Sequence, residues 1–344
     1  MSVRQTGPSS WVARARHRLS PALGVYREVP ILGPLSGLIA LMIFFTFKSP
    51  VFFTYDNFSN VLNQVMEVGT LAIGQTLIII TAGIDLSNGA IMVFASVVMA
   101  KLAAGNAGQG GALGIPVPYA IVIGLLLACG LGLLNGGIVA FVRLPPFIVT
   151  LGMLNIAASS TLLYTSSASV TSLPSGLLEL GNNFSFAGKV VQVGPLVMLT
   201  VAAIIWYALR QTAWGRHVYA VGNNKEAARL TGINTTRLLL SVYLVAGLIY
   251  GIAALLVLGR TTVGDPLAGQ TDNLDSITAV VIGGTSLFGG RGTVIGTLIG
   301  AVIVGVIRNG LTLIGVDALW QTFATGILVI VAVAVDQATR RRSL

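Results

Sequence analysis

The sequence predicts an all-α, polytopic membrane protein with about ten transmembrane helices and with both termini on the cytoplasmic side. Hydrophobic residues make up 54% of the 344-residue chain and charged residues only 9%, whereas water-soluble domains carry about a quarter charged residues. Apolar runs long enough to cross a bilayer recur along the chain from residue 31 onward. Lys and Arg residues are also distributed unevenly between the segments that join these runs.

The predicted spans follow one another with mostly short connections. They lie at 31–47, 61–82, 86–104, 117–142, 145–165, 194–209, 238–258, 274–289, 293–313 and 318–335. The runs divide the chain into a basic tail at 1–30, one transmembrane domain at 31–337 with an inside loop at 210–237, and a basic C-terminus at 338–344. The outside stretch 166–193 is rich in Ser, Gly and Asn and has room for a short surface helix.

The orientation follows from the 20 Lys and Arg residues. With the N-terminus inside, fifteen of them fall in inside segments and five at outside ends, and the opposite orientation would invert this bias. The net charge of +9 is therefore a topology signal and gives no indication of a nucleic-acid partner. Cys129 is interpreted as a small core residue. His17 and His217 lie in different basic segments, so no metal site is expected.

The inside loop contains a short helical pattern, VGNNKEAARLTGINTTR, at 221–237. Asn223 and Glu226 have the spacing of a capping box, and Gly232 is placed to end the helix in a left-handed conformation. A short capped helix in a loop has no core of its own to bury. It is either a docking element for a cytoplasmic partner or a solvated loop helix, and the residues alone favour neither.

Asp85 lies in the segment AGIDLSNG between two apolar runs. An ionisable residue beside glycines at the end of a span indicates a tight turn or a broken helix, with backbone groups exposed to a cavity. Asp85 either caps the helix that begins near Leu86–Ser87, which the residues favour, or takes part directly in a substrate path or gate.

The span at 61–82 begins with a polar stripe. Its members fall within about a quarter-turn of one another at the helical period: Asn60, Gln64, Glu67 and Gln75. Such a stripe is not expected to face lipid, so it faces either other helices or a water-filled path. Asn155 and Ser159, four residues apart in the span at 145–165, form a weaker second face.

Glycines recur in the segment GGRGTVIGTLIG, where Gly292, Gly296 and Gly300 follow the four-residue spacing that is typical of packed membrane helices. Ile295 breaks the G-x-G-x-x-G spacing, and the chain contains no G-x-x-x-x-G-K-S/T, G-x-S-x-G or H-E-x-x-H motif. We therefore expect neither ATP hydrolysis nor other catalysis by this chain. A weak internal repeat pairs GLLNGG at 132–137 with GVIRNG at 305–310, and AGIDLSNGA at 82–90 with GGTSLFGGRG at 283–292.

Four segments resemble one class of permeases. EAARLTG at 226–232 is similar to the EAA-x-x-x-G pattern of ABC importer permeases, although the apolar-Leu-Pro end of that pattern is absent. The other three resemble permease subunits of monosaccharide ABC importers of the ribose, xylose, arabinose and fructose type. They are GQTLIIITAGIDLSNGAIM at 74–92, RLPPFIVTLGML at 143–154 and LDSITAVVIGGTSLFGGRGTVIGTLIGAVIVGVIRNGL at 274–311. The likeness covers roughly residues 60–340.

This resemblance implies ATP-driven import of a monosaccharide by alternating access in the bacterial inner (plasma) membrane. The implied partners are an ATPase with two nucleotide-binding halves, which uses ATP and Mg²⁺, a periplasmic or extracellular sugar-binding protein, and a second permease copy in a homodimer. The chain itself would bind no cofactor.

The resemblance also implies roles for particular residues. The ATPase-coupling helix would comprise Asn223, Asn224, Lys225, Glu226, Ala227, Ala228 and Gly232. The polar faces described above, rather than the resemblance, predict a substrate path that uses Gln64, Glu67, Gln75, Asp85, Asn155 and Ser159. Three acidic residues predicted outside are either docking contacts for the binding protein or solvated loop residues: Asp265, Asp272 and Asp275.

Two other functions remain open at this stage. The chain is an ABC permease for another small solute, a nucleoside or a branched-chain amino acid, or it is a secondary transporter driven by an ion gradient. The secondary transporter would use Glu67 or Asp85 as the ion-coupled carboxylate, and it would leave the EAA-like helix unexplained.

Overall fold

The computed structural model describes residues 31–104, 113–186, 189–269 and 271–341, so the tail at 1–30 and residues 342–344 lie outside the described residues. The described chain is largely helical, as predicted. Its helices are α1 Leu32–Lys48, α2 Tyr55–Ile80, α3 Asn88–Ala103, α4 Val117–Gly137, α5 Pro146–Thr165, α6 Ser175–Leu178, α7 Val193–Gln211, α8 Ala213–Asn223, α9 Lys225–Leu230, α10 Thr235–Thr261, α11 Asp272–Ile282, α12 Val294–Leu313 and α13 Ala318–Arg341. The helix α4 continues as a π-helix at Ile138–Val142.

Five helices in the described ranges are both long and apolar enough to cross a membrane. They are α4 with its π-helical end, α5, α7, α10 and α12. The helices α1 and α3 and the first part of α13 are apolar but shorter. The 26-residue helix α2 is long enough but carries the polar stripe, and it is not among the five.

The stretch between α5 and α7 holds more than the short surface helix that the sequence predicts. The single turn α6 is followed by a 3-10 turn at Glu179–Gly181 and by a two-stranded antiparallel hairpin. Its strands are β1 Asn183–Phe186 and β2 Lys189–Gln192, with Asn183 opposite Gln192.

The predicted span at 274–289 is wrong in extent. The helix α11 begins two residues earlier and ends at Ile282, after 11 residues. Gly284, Gly289 and Gly290 adopt positive φ angles in the connection that follows. Because residues with a Cβ rarely adopt this conformation, Gly284 ends the helix, and Gly289 and Gly290 form a second turn further along the connection.

The helix α10 lies at the centre of the bundle, where it packs against α2, α3 and α4. Its Tyr243 and Tyr250 are among the largest fully buried side chains. Small residues allow the close approach to α4, since a Cβ on Gly132 would lie 3.1 Å from the Cα of Gly247.

Two parts of the chain share one arrangement, in which a long helix leads into a non-helical connection and then a shorter helix. These parts are α2 with α3, and α10 with α11. The starts of α3 and α11 meet, because Asn88 Nδ2 donates to Ser276 Oγ at 2.7 Å and Asn273 Nδ2 donates to the Leu86 carbonyl at 3.2 Å. From this contact α3 packs onward against α4, α5 and α10, and α11 against α2, α12 and α13.

The repeated motifs GLLNGG and GVIRNG occupy matching positions in this arrangement. Asn135 and Arg308 are the fourth residues of the two motifs. Asn135 donates to Ser87 at the start of α3 at 3.0 Å, and Arg308 donates to Thr271 at the start of α11 at 3.1 Å. The second suggested pairing is wrong, because 82–90 spans the start of α3 whereas 283–292 follows α11.

Candidate functional site

The inside loop forms two consecutive helices, α8 and α9, and the cap of α9 differs by one residue from the prediction. Asn223 is the last residue of α8, and Asn224 caps α9 by accepting a hydrogen bond from the Ala227 N–H at 2.9 Å. Glu226 does not return to the cap. Its carboxylate pairs with Arg229 Nε at 3.0 Å, one turn along the helix.

The far end of α9 closes at Gly232, which has φ +89°. Its N–H donates to the Arg229 carbonyl at 3.0 Å, and the next N–H along the chain donates to the Ala228 carbonyl at 3.1 Å. These bonds satisfy carbonyl groups that the helix end would otherwise leave without a partner.

The helix α9 presents most of its surface outward. Only Ala228 points inward and is buried, whereas the apolar Leu230 side chain is 78% exposed. The remaining exposed residues of the helix are Lys225, Glu226, Ala227 and Arg229.

The base of this loop is packed tightly against two other turns. The Gly290 N–H donates to the Ile80 carbonyl at 2.9 Å. A Cβ on Gly222 would overlap that carbonyl oxygen and would lie 2.7 Å from the Gly290 nitrogen, and a Cβ on Gly289 would lie 2.7 Å from the Cβ of Ala82. We call this contact of residues 80–82, 222 and 289–290 the glycine junction. It joins the loop helices to the connection before α3 and the connection after α11.

Of the three glycines with four-residue spacing, two pack on a neighbouring helix. A Cβ on Gly300 would lie 2.8 Å from the Ala279 carbonyl carbon in α11, and one on Gly296 would lie 3.2 Å from the Gly283 carbonyl carbon. Gly292 lies in the turn before α12, where its carbonyl accepts a hydrogen bond from Tyr219 of α8 at 2.8 Å.

Asp85 is buried within a hydrogen-bonded network at the start of α3. Its carboxylate accepts from the Ser87 N–H at 2.7 Å, from the Ser87 hydroxyl at 2.6 Å and from the Tyr250 hydroxyl at 3.2 Å. Ser87 is the residue immediately before α3. Buried carboxylates persist when several donors satisfy them, so Asp85 stabilises the helix start and is closed to solvent.

Gln75 belongs to the same buried region. Its side-chain oxygen accepts from Asn88 at 3.3 Å, and Asn88 also donates to Ser276 of α11. The polar stripe of α2 therefore does not form one continuous face of a path, because Asn60 and Gln64 are exposed whereas Glu67 and Gln75 are buried.

A second buried cluster lies between α2, α10, α11 and α12, and it is charged. Arg260 Nε donates to Glu67 at 3.0 Å, and Arg308 pairs with Asp275. Asp272, in the first turn of α11, lies beside Glu67 and is 6% exposed. Asp275 is fully buried.

This cluster corrects the docking prediction for two of its three residues. Asp272 and Asp275 were expected outside, but α11 begins within the bundle and carries both into its interior. Asp265 is half-buried in the connection before α11, and its carboxylate accepts from the Leu267 N–H at 2.9 Å.

The face of α5 that carries Asn155 and Ser159 is exposed in the single subunit. Among the described residues, Asn155 donates to the Leu151 carbonyl of its own helix at 3.1 Å and to no other group. In a membrane, both polar side chains are therefore expected to contact protein or water and not the lipid hydrocarbon.

Sequence reasoning missed the cationic partners of the carboxylates. Arg260 and Arg308 were assigned to outside ends because each follows an apolar run. A usable signal was present at Arg308, which lies inside the run 293–313 and therefore needs a carboxylate partner within the membrane.

The family comparison identifies the class of protein to which the chain belongs. Residues 57–333 match the family described as the permease component of the branched-chain amino acid transport system, and the chain belongs to that family of transport permeases. It is thus a multi-pass membrane protein of the importer-permease class. No solved structure matches it.

Curated relatives cover nearly the whole chain. It is 43% identical to a fructose import permease of Rhizobium meliloti, over 91% of this chain and 86% of the relative. It is 37% identical to a ribose import permease of Bacillus subtilis, over 89% of this chain and 92% of the relative. It is 33% identical to a xylose transport system permease of Escherichia coli, over 90% of this chain and 92% of the relative.

Proposed function

We propose that the chain is the membrane-spanning subunit of an ATP-driven importer that carries a monosaccharide into the bacterial cytoplasm. The relatives described above are named for fructose, ribose and xylose, which supports a sugar over the branched-chain amino acid in the family description. The resemblance of residues 74–92 and 274–311 to sugar permeases supports the same choice. A nucleoside or amino acid is the second candidate, on the family description alone.

The observation that carries the proposal is the exposed loop helix α9, which directly follows α8 and the contact of α8 at the glycine junction. A six-residue helix with an N-cap, a glycine end and an outward apolar side chain is a docking element that lacks its partner. The preceding helix α8 contacts the connections of both α3 and α11 through Gly222, so a push on α9 acts on these connections through α8. The partner is an ATPase with two nucleotide-binding halves, which uses ATP and Mg²⁺.

The remaining parts of the complex follow from the same proposal. The chain crosses the inner membrane about ten times with both termini cytoplasmic, which puts α9 on the ATPase side. A sugar-binding protein docks on the opposite side, where Asp265 is the remaining acidic candidate. A second permease copy covers the α5 face with Asn155 and Ser159, and this polar face forms one part of the sugar path.

The secondary-transporter alternative is disfavoured by the state of its two carboxylates. An ion-coupled carboxylate must be free to exchange its ion. Glu67 is paired with Arg260, and Asp85 accepts three hydrogen bonds.

The test is a charge placed on the exposed apolar residue of α9. Leu230→Asp leaves the permease folded because the side chain contacts solvent, but it removes the apolar contact with the ATPase. We expect loss of ATPase copurification and of ATP-driven sugar uptake in proteoliposomes. Leu144→Asp, at an exposed leucine of another predicted inside connection, is the matched control. Normal copurification and uptake by the Leu230→Asp protein would contradict the docking role of α9.

A further inference from the structure

The charged cluster borders a cavity within a single subunit. Its volume is about 230 Å³, and it lies between α2, α10, α11 and α12. Its polar wall consists of Gln64, Glu67, Arg260, Asp272 and Arg308. Its apolar wall consists of Val65, Val68, Ala301, Val304 and Gly305.

One polar atom of this wall is buried without a partner. The Oδ2 atom of Asp272 accepts no hydrogen bond from the described residues. Leaving a buried acceptor unpaired costs about 1–3 kcal/mol. An occupant that donates a hydrogen bond to this oxygen would remove that cost.

Both arginines keep unused donors beside the same space. Their side chains are 35% and 30% exposed for Arg260 and Arg308. A guanidinium carries five N–H donors, and only some of these are used by Glu67, Asp275 and Thr271. The cavity thus offers both a free acceptor and free donors.

The charges around the cavity decide between classes of occupant. An anion would meet two carboxylates, those of Glu67 and Asp272, and a cation would meet two guanidinium groups. A neutral molecule with several hydroxyls satisfies both kinds of wall, since each hydroxyl donates one hydrogen bond and also accepts. The valine side of the cavity suits the C–H face of such a molecule.

We propose that this cavity binds one neutral polyol of the monosaccharide class, as a stopping point within a single permease subunit. The proposal rests on the proposed import function and adds a binding site to it. A hydroxyl of the solute donates to Asp272 Oδ2, and neighbouring hydroxyls accept from Arg260 and Arg308. The rival occupant is water alone, since the polar wall offers partners for several water molecules.

The experiment measures sugar binding to the purified full-length permease in lipid nanodiscs, without ATPase or binding protein. Fructose, ribose and xylose are titrated in turn by saturation-transfer NMR, with leucine as the non-polyol probe. We expect saturable binding of at least one sugar in the millimolar range and no binding of leucine. Asp272→Asn removes the free carboxylate oxygen and should weaken binding about tenfold or more, because hydrogen bonds to charged groups are strong.

Two further variants keep the test decisive if Asp272→Asn fails to fold. Gln64→Leu changes an exposed rim residue and should also weaken binding. Asp317→Asn makes the same chemical change at an exposed aspartate far from the cavity in sequence and should leave binding unchanged. Absence of sugar binding by the wild-type permease, or equal binding by wild type and the two cavity variants, overturns the proposal and leaves water as the occupant.

The same preparations separate this proposal from the proposed function. Sugar uptake driven by ATP in the reconstituted complex, without binding by the permease alone, overturns the cavity site and leaves the import function standing. Binding that Asp272→Asn weakens, in a permease whose uptake does not depend on ATP, supports the cavity site and contradicts the import function.

Discussion

Replacement of Gly222 by alanine tests whether the glycine junction couples the loop helices to the bundle. The added Cβ would overlap the Ile80 carbonyl oxygen and approach the Gly290 nitrogen to 2.7 Å. Both are backbone atoms, so no side-chain rotation relieves the contact and one of the turns must move. Overpacking of this kind costs about 1–3 kcal/mol. An alternating-access transporter has two states, one open to each side of the membrane. If the cost falls on only one of them, the coupling between ATPase and permease changes about 5- to 150-fold.

The assay is ATP-driven uptake together with ATP hydrolysis in proteoliposomes that contain the complete importer. We expect the Gly222→Ala permease to retain the ATPase, because the exposed face of α9 is unchanged, but to show reduced uptake per ATP hydrolysed. Gly130→Ala is the matched control, since a Cβ at this helical position meets nothing within 4 Å. Unchanged uptake per ATP in the Gly222→Ala protein, at an equal amount of folded permease, would refute the coupling role of the junction.

Two further substitutions test the observed contacts. Asn224→Ala should destabilise α9 by about 1 kcal/mol because the cap of its first turn is lost, and hydrogen exchange of the α9 amides should accelerate, whereas Asn223→Ala should have little effect. Arg308→Met should lower the stability of the detergent-solubilised protein by about 3–5 kcal/mol because Asp275 is left buried without its cation. The double variant with Asp275→Leu should recover part of that loss, and failure to recover it would show that Arg308 acts through other contacts.

The sequence predicted the loop helix but not its first residue. Asn223 and Asn224 are adjacent and both suit an N-cap, and the spacing to Glu226 favoured Asn223. In the structure α8 continues through Asn223, and therefore the cap moves to Asn224. The extent of a preceding helix is decided by its packing, here through Gly222 at the junction, and a local spacing rule does not contain that information.

The sequence also identified the polar residues of α2, but it did not predict how deeply each of them is buried. A period of 3.6 places Gln64, Glu67 and Gln75 on one side of a helix, but the neighbour on that side changes along its length. Near Gln75 the neighbour is the start of α3, and near Glu67 it is Arg260. The contact between Glu67 and Arg260 joins residues 193 positions apart in the sequence. A pattern of neighbouring residues cannot predict such a contact.

The misplacement of Asp272 and Asp275 has a similar cause. Hydropathy locates the apolar run that follows them and treats the acidic residues before the run as its outer boundary. In the structure α11 begins inside the bundle, because the connection after α10 leads inward to meet the start of α3. The arginine that pairs with the buried Asp275 is Arg308, which comes from α12.

The helix α11 relates the glycine junction to the charged cavity. Its last residue leads into the connection whose Gly289 and Gly290 pack at the junction, and its first turn carries Asp272 at the cavity wall. Eleven residues of α-helix extend about 16 Å, and a hydrogen-bonded helix moves as a unit over that length. A displacement of the junction through Gly222 of α8 would therefore move Asp272 relative to Arg260 on α10. In the importer proposed above, the pairings that a bound polyol would use would then change with the state of the ATPase, without any contact between ATPase and cavity.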